Sequence, residues 1–474
     1  MIMCWTRRIV VTVFAVAMAT VASSRLAAES PNIIYILADD AGYGDFGCYR
    51  ADALPTPNID RLAREGLRFT QHYAGCTVCA PSRCVLLTGL HTGHCRVRGN
   101  SPGLMTDEDT TVAQRLKALG YTTACIGKWG VGAPPPLDDP QQRGFDYFFG
   151  YISMWHAHNF YPEFLIRNGK RVALRNVVAD RWQGQDGRGV AVKKVDYAPD
   201  LLMRDAVRFI EKNRDVPFFL YYALNVPHAN NEGVRFSDAP EKGMEVPDFG
   251  PYADKDWPAP EKGFAAMMRN IDLDVGRILA KLKELDLDQK TIVMFSSDNG
   301  PHQEGGHKME FFNSNGSLRG MKRDLFEGGL RVPLIVRWTG HVRSNISTDH
   351  LCGFQDILPT LVAAAGGEVP DGIDGISFLP TLLGDDASQR KHEYLYWEFS
   401  EQGGKRAIRK GPWKLVQLQM GKPKPAAPQL YHLLDDPSET TNLAEENPQL
   451  VQQLTALMEQ AHTPSKKYPF TAAE

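Results

Sequence analysis

The chain lacks an excess of charge of either sign. Its 53 Lys and Arg stand against 56 Asp and Glu, a net charge of −3 over 474 residues. Without an overall basic footprint, nucleic acid is excluded as a partner, and any attraction for an anionic ligand must be local. Long hydrophobic runs are missing too: after the first thirty residues nothing is apolar enough to cross a bilayer, which excludes stable membrane insertion. There are no internal repeats and no low-complexity linker, so solenoids and disordered arms drop out. Cysteine is sparse, at eight. Cys76-x-x-Cys79 has no second such pair to complete a zinc site, and no thioredoxin-type strand–helix unit leads into it.

What is present begins with an export pattern. Arg7-Arg8 precede an apolar stretch, Ile9 to Val21, too short to span a membrane, and small residues follow up to Ala27-Ala28. Residues 1–28 therefore read as a secretory signal, and no lipobox precedes Cys4. The mature protein is expected to be periplasmic or secreted, where disulfides are permitted but their pairing cannot be deduced.

Residues 32–38 form a continuous apolar run, the mark of a strand buried on both faces. Further strands are expected at 121–126, 217–224 and 291–296, and at Leu334-Ile-Val. Helices are expected at 109–119, 201–213, 264–285 and 355–365. Alternation of this kind predicts an α/β fold with a large, mostly parallel sheet flanked by helices. Near residue 390 closely spaced strand-like segments take over (393–399, 406–409, 413–419, 429–434), followed by a helix at 447–461. They predict a small C-terminal antiparallel sheet with one packing helix. The expected organisation is a signal at 1–28, a catalytic domain at 29–385 and a C-terminal α+β subdomain at 386–474. Segments 135–190 and 228–262 have few periodic elements and read as long loops over the active face.

Sites in open α/β sheets form outside the carboxyl ends of the strands. Those ends carry Asp39-Asp40, Gly127-Lys128, Asn225-Val226-Pro227-His228 and Ser297-Asp298-Asn299-Gly300. Asp39, Asp40, Asp298 and Asn299 are hard oxygen donors suited to Ca²⁺, with Mg²⁺ the alternative, and no His–Cys cluster argues for zinc. Gly42-Tyr43-Gly44-Asp45-Phe46-Gly47 matches a dinucleotide fingerprint. Its context is wrong: three nearby aspartates would repel a pyrophosphate, and no helical pattern follows. Its glycines read instead as a tight turn around a metal. Pro81 suits the first position of a helix, which would place Cys79 just outside a helix N-terminus, where a thiol pKa is lowered and anions are attracted. Arg83 adds a full positive charge.

The run Cys79-Ala80-Pro81-Ser82-Arg83, ending in Thr88-Gly89, resembles the signature of the type I, formylglycine-dependent sulfatases (arylsulfatases) of the alkaline phosphatase superfamily. Gly120-Tyr121-Thr122 through Gly127-Lys128, the segment from Leu318 to Gly329, and Asp435-Asp436-Pro437 resemble further parts of that family. The resemblance implies that a formylglycine-generating enzyme oxidises Cys79 to an aldehyde, whose hydrate is the nucleophile; its second hydroxyl lets sulfate leave, which a thiol could not do. It implies Asp39, Asp40, Asp298, Asn299 and position 79 as metal ligands. Lys128, Lys322 and His228 would contact the sulfate and the leaving group, and Arg83 would hold the nucleophile. The chain departs from the family at Gly130, where many members carry a histidine that deprotonates the sulfated hydrate. His156, His158 or His302 is expected to replace it. The expected substrate is a sulfated carbohydrate, with Trp155, Phe160, Tyr161, Trp182 and Trp397 available to stack on sugar rings and Arg96 and Arg98 to meet a carboxylate or second sulfate. The alternatives are a phosphodiesterase or phosphonate monoester hydrolase of the same superfamily, and a non-catalytic carbohydrate-binding relative.

Overall fold

Strand β1 (Asn32–Asp39) is buried along its whole length. Ile34, Ile36 and Ala38 enter one apolar layer, and Ile33, Tyr35 and Leu37 the other. Side chains alternate across a strand, so a continuous apolar run must be covered on both faces. The computed structural model describes residues 30–100, 104–132, 138–182 and 186–470; the expected export signal lies outside them.

The large sheet contains, in chain order, β1, β2 (Leu67–Phe69), β3 (Thr122–Lys128), β4 (Tyr147–Tyr151), β5 (Phe164–Arg167), β6 (Lys170–Ala173), β7 (Phe218–Pro227), β8 (Thr291–Ser297), β9 (Leu334–Arg337) and β10 (Ile346–Thr348). Their spatial order is β10-β2-β9-β8-β1-β7-β3-β4-β5-β6. The central five, β8 to β4, run parallel; β9 and β5 begin antiparallel flanks. Helices Ala198–Lys212 and Ala259–Glu284 pack on one face, and Cys79–Thr88 and Ile357–Ala364 on the other.

Segment 135–190 is more ordered than its composition suggests, since β4, β5 and β6 extend the sheet there. Asp109 does not cap the following helix. Thr111 does, in a reciprocal capping box with Gln114, and the helix is Val112–Ala118.

The second sheet is antiparallel, β11 (Leu395–Phe399) to β14 (Gln429–His432) through β12 (Lys405–Lys410) and β13 (Trp413–Leu418). One face carries helix Pro448–Gln460. The other packs on Tyr73, Cys76 and Val78 and on Leu325, Phe326 and Leu330. It thus backs the approach to Cys79 and the stretch just after Lys322.

Candidate active site

The strand register brings four chain segments to one level. Asp39 pairs with Pro227, Ala38 with Ser297, and Gly127 with Ala223. Successive residues of a strand face opposite ways, yet Asp39 and Asp40 both serve one site. Asp40 leaves the strand with φ 70°, which turns its carboxylate back beside its neighbour's. Ligand atoms of Asp39, Asp40 and His228 lie within 4.8 Å of one another. Asp298 accepts the Asp40 backbone N–H at 3.1 Å, and Asn299 Nδ2 donates to Asp40 Oδ1 at 2.7 Å.

Helix Cys79–Thr88 starts at Cys79 itself, with Val78 as N-cap, and ends at Gly89 in the left-handed region at φ 74°. Cys79 is therefore inside the first turn and Pro81 sits third. Its Sγ lies 3.6 Å from Met154 Sδ and 3.7 Å from Asn100 Oδ1. The expected acidic thiol is not found: burial pushes its pKa up, and Lys128 opposes this only partly.

Buried cations answer the carboxylates. Arg83 donates to Asp298 Oδ2 through Nε (3.0 Å) and Nη2 (2.9 Å), and to the Lys128 carbonyl through Nη1 (2.7 Å). Lys128 Nζ is 2.7 Å from Asp39 Oδ2. Lys322 Nζ meets Asp40 Oδ2 at 2.6 Å, His228 Nε2 at 3.0 Å and Glu304 Oε2 at 3.0 Å. Burial raises the pKa of Asp39, but the Lys128 and Arg83 charges beside it outweigh this and hold the group ionised. Burial disfavours charge on Lys322, yet Asp40 and Glu304 hold its pKa above the usual range. His228 Nδ1 lies 2.7 Å from the Ala229 carbonyl, which can only accept, so Nε2 is the lone pair facing Lys322. Burial, then Lys322, keeps that ring neutral. The proton here belongs to Lys322.

The donor set fits a hard divalent cation. Asp39 Oδ1 and Asn299 Oδ1 are buried without a hydrogen-bond donor. Burial and the Asp39 charge push the Asp298 carboxyl up to about 7, a strain that a cation among the three carboxylates relieves.

The other expected residues divide: His158 and His302 stack beside His228, and the rest lie away from it. His156 donates into the Phe164 carbonyl at 2.9 Å and packs on Tyr151 and Phe164, away from this cluster. His302 has both nitrogens engaged, Nε2 with the Pro227 carbonyl and Nδ1 with the Glu304 N–H. His158 is close: its ring stacks on His228 at 4.8 Å. Arg96 pairs with Glu108 and Asp109, Arg98 is buried against Glu398, and Trp397 is core, donating to the Ala74 carbonyl. None of the three faces the site. Gly42 and Gly44 turn under the Ser314 backbone, with Gly44 N–H bonded to the Ser314 carbonyl at 2.8 Å, so they serve a close chain approach and not a metal turn. Sequence reasoning missed Glu304, Arg323, Asn100 and Met154. Glu304 alone carried a signal, two residues beyond His302 in the loop that follows Asn299.

Carboxylates, lysines and a helix-borne cysteine at the carboxyl edge of a parallel sheet define a hydrolase of anionic esters. The chain belongs to the sulfatase family: the Sulfatase model matches residues 31–367, and the model described as N-sulphoglucosamine sulphohydrolase, C-terminal, matches 320–464. It is a sulfuric ester hydrolase, of a family that generally uses formylglycine and a divalent metal. It is 33% identical to arylsulfatase A of Homo sapiens over 91% of this chain and 87% of that one. It is 30% identical to N-acetylgalactosamine-6-O-sulfatase of Bacteroides thetaiotaomicron over 92% and 94%. Among solved structures, Ps i-CgsB in complex with k-i-k-neocarrahexaose superposes with a TM-score of 0.74 at 26% identity, covering 91% of this chain and 92% of that one.

Proposed function

We propose that the protein is an exported, Ca²⁺-dependent sulfatase that removes sulfate from a carbohydrate, using formylglycine made from Cys79. The observation that carries this is the meeting of Asp39, Asp40, Asp298, Asn299, Lys128 and Lys322 around the first turn of the Cys79 helix. The sugar assignment draws on the named N-acetylgalactosamine-6-O-sulfatase relative, on the neocarrahexaose complex, and on Trp155, half-exposed beside His158.

When bound, the cation would withdraw electron density from sulfur, and the formylglycine hydrate would supply the nucleophile. Asp39, Asp40, Asp298 and Asn299 would hold the ion. Lys128 and Lys322 hold sulfate oxygens and stabilise charge that grows in the transition state. Lys322 gives its proton to the departing alkoxide, while neutral His228 fixes the direction of that ammonium. Of the three histidines considered for the base missing at Gly130, His158 is the suitable one. Its Nδ1 is 3.3 Å from Glu232 Oε2, which orients the ring, and its Nε2 makes no hydrogen bond to the described residues.

Mass spectrometry of the Cys79 peptide tests the nucleophile: one sulfur and two hydrogens should be exchanged for an oxygen. A panel of defined sulfated sugars tests the substrate, and no sulfate release from any of them would sink that assignment. For His158, single-turnover kinetics should show slowed sulfate release in His158→Ala and normal release in His156→Ala. N-terminal sequencing of protein from the periplasm or medium tests export, with cleavage expected near Ala28.

A further inference from the structure

Glu304 is an acid where an anion is to bind. Its carboxylate bridges Lys322 Nζ (3.0 Å, Oε2) and Arg323 Nη2 (2.6 Å, Oε1), and reaches within 4.0 Å of His228 Nε2. It is fixed there. Its backbone N–H donates to His302 Nδ1, and His302 is tied to the carbonyl of Pro227, the residue before His228. With Asp40, His228 and Glu304 around it, Lys322 has an acceptor for each of its three ammonium hydrogens. Glu304 is not among the oxygen donors around Asp39 and is not needed to hold a cation.

A carboxylate so placed has one consistent effect. It subtracts positive charge from the pocket at the second lysine while leaving that lysine in position. A sulfate monoester carries one negative charge at any pH near neutrality. A phosphate monoester of the same shape carries nearly two, its second ionisation lying near pH 6. We propose that Glu304 is a specificity-determining residue, a fixed negative charge that acts through Lys322 to favour monoanionic esters over dianionic ones. Phosphodiesters and phosphonate monoesters, which carry one charge, pass the same filter. This deepens the reading of the site as a sulfate-ester site and rests on it.

The test separates charge from shape. Glu304→Gln keeps an acceptor for Lys322 and removes the charge; Glu304→Asp keeps the charge. Binding of phenyl sulfate and phenyl phosphate is measured by calorimetry at pH 8 on the full chain with Cys79 unconverted and Ca²⁺ added, so that no turnover intervenes. Hydrolysis of the 4-nitrophenyl esters is then followed on converted enzyme. In Glu304→Gln the preference for sulfate over phosphate should fall about tenfold or more, in both Kd and kcat/KM. In Glu304→Asp it should stay within about threefold of the parent. Lowering the pH to 5, where phenyl phosphate approaches a single charge, should improve its binding to the parent more than to Glu304→Gln. An unchanged preference in Glu304→Gln, or equal weakening of both ligands, overturns the proposal and marks Glu304 as merely structural. If the parent binds both esters yet hydrolyses neither, the catalytic reading fails while the binding ratios still decide the role of Glu304.

Discussion

Lys128 is the simplest residue to interrogate. It has no exposed surface, and among the described residues its one side-chain hydrogen-bond partner is Asp39, at 2.7 Å. In the proposed reaction this ammonium gains its main interaction when charge develops on a sulfate oxygen. Lys128→Met should lower kcat for an aryl sulfate by about 10² to 10³, the usual loss for one preorganised donor, and leave KM less affected. A fall confined to KM would show that the lysine only binds. Gly130 makes a different demand. Its φ is 76°, and an added Cβ would lie 3.1 Å from Arg83 Cδ. Gly130→Ala should therefore cost about 1–2 kcal/mol in urea denaturation, from the left-handed backbone alone. A wild-type midpoint in that variant would remove the conformational reason for glycine here.

At the scale of elements, helix Ala259–Glu284 buries an acid against the sheet. Asp274 accepts from Tyr222 Oη and from Arg277 Nη1, each at 2.8 Å, and burial raises its pKa to about 7. The unfolded value is about 3.9. The folded state therefore binds this proton more tightly, and the stability it contributes is full below about pH 4 and lost as pH rises towards 7. The melting temperature of Asp274→Asn relative to the parent should rise between pH 5 and pH 8. A difference that stays flat would contradict the raised pKa. The same helix shows what a sequence discloses. Its apolar spacing begins at Phe264, so the reading started there, whereas the first turn is set by Pro260 near the N-terminus, a capping signal without periodicity. β1 was legible because both its faces are buried. β6 was not: Lys170, Arg171 and Ala173 are exposed on a flank of the sheet, and their composition is that of a loop. The metal-type donors and Lys128 stood at strand ends and could be picked out by position, whereas Lys322, in the loop between β8 and β9, was marked only by the family resemblance of its segment. Glu304 carried only the hint of its place after His302; its role could not be read, because that comes from Lys322, brought to it only by the folded chain.

The whole molecule joins its two sheets through a buried ionic cluster behind the catalytic loop. Lys414 of β13 has no exposed surface and pairs with Glu327 Oε1 at 2.9 Å and Glu439 Oε1 at 3.0 Å. Tyr73 Oη donates to Glu327 at 2.6 Å, and Arg409 of β12 donates to that same Tyr73 oxygen. One lysine thus serves two carboxylates. Burial opposes ionisation of both. Lys414 and then Arg409 hold Glu327 down to about 2, whereas burial outweighs Lys414 at Glu439 and leaves its pKa raised. Removing Lys414 strands those acids out of water. Lys414→Met should destabilise the protein by about 3–5 kcal/mol, while a triple variant that also carries Glu327→Gln and Glu439→Gln should recover most of the loss. The cluster lies five residues from Lys322 in sequence, and the apolar face beside it joins Trp397 and Phe399 to Leu325 and Leu330. The small sheet should therefore melt with the large one, in a single calorimetric transition whose midpoint Lys414→Met lowers as a unit. Two separated transitions in that variant, with aryl sulfatase activity surviving the first, would show that the second sheet is an independent appendage and that the Lys322 loop is held by the catalytic domain alone.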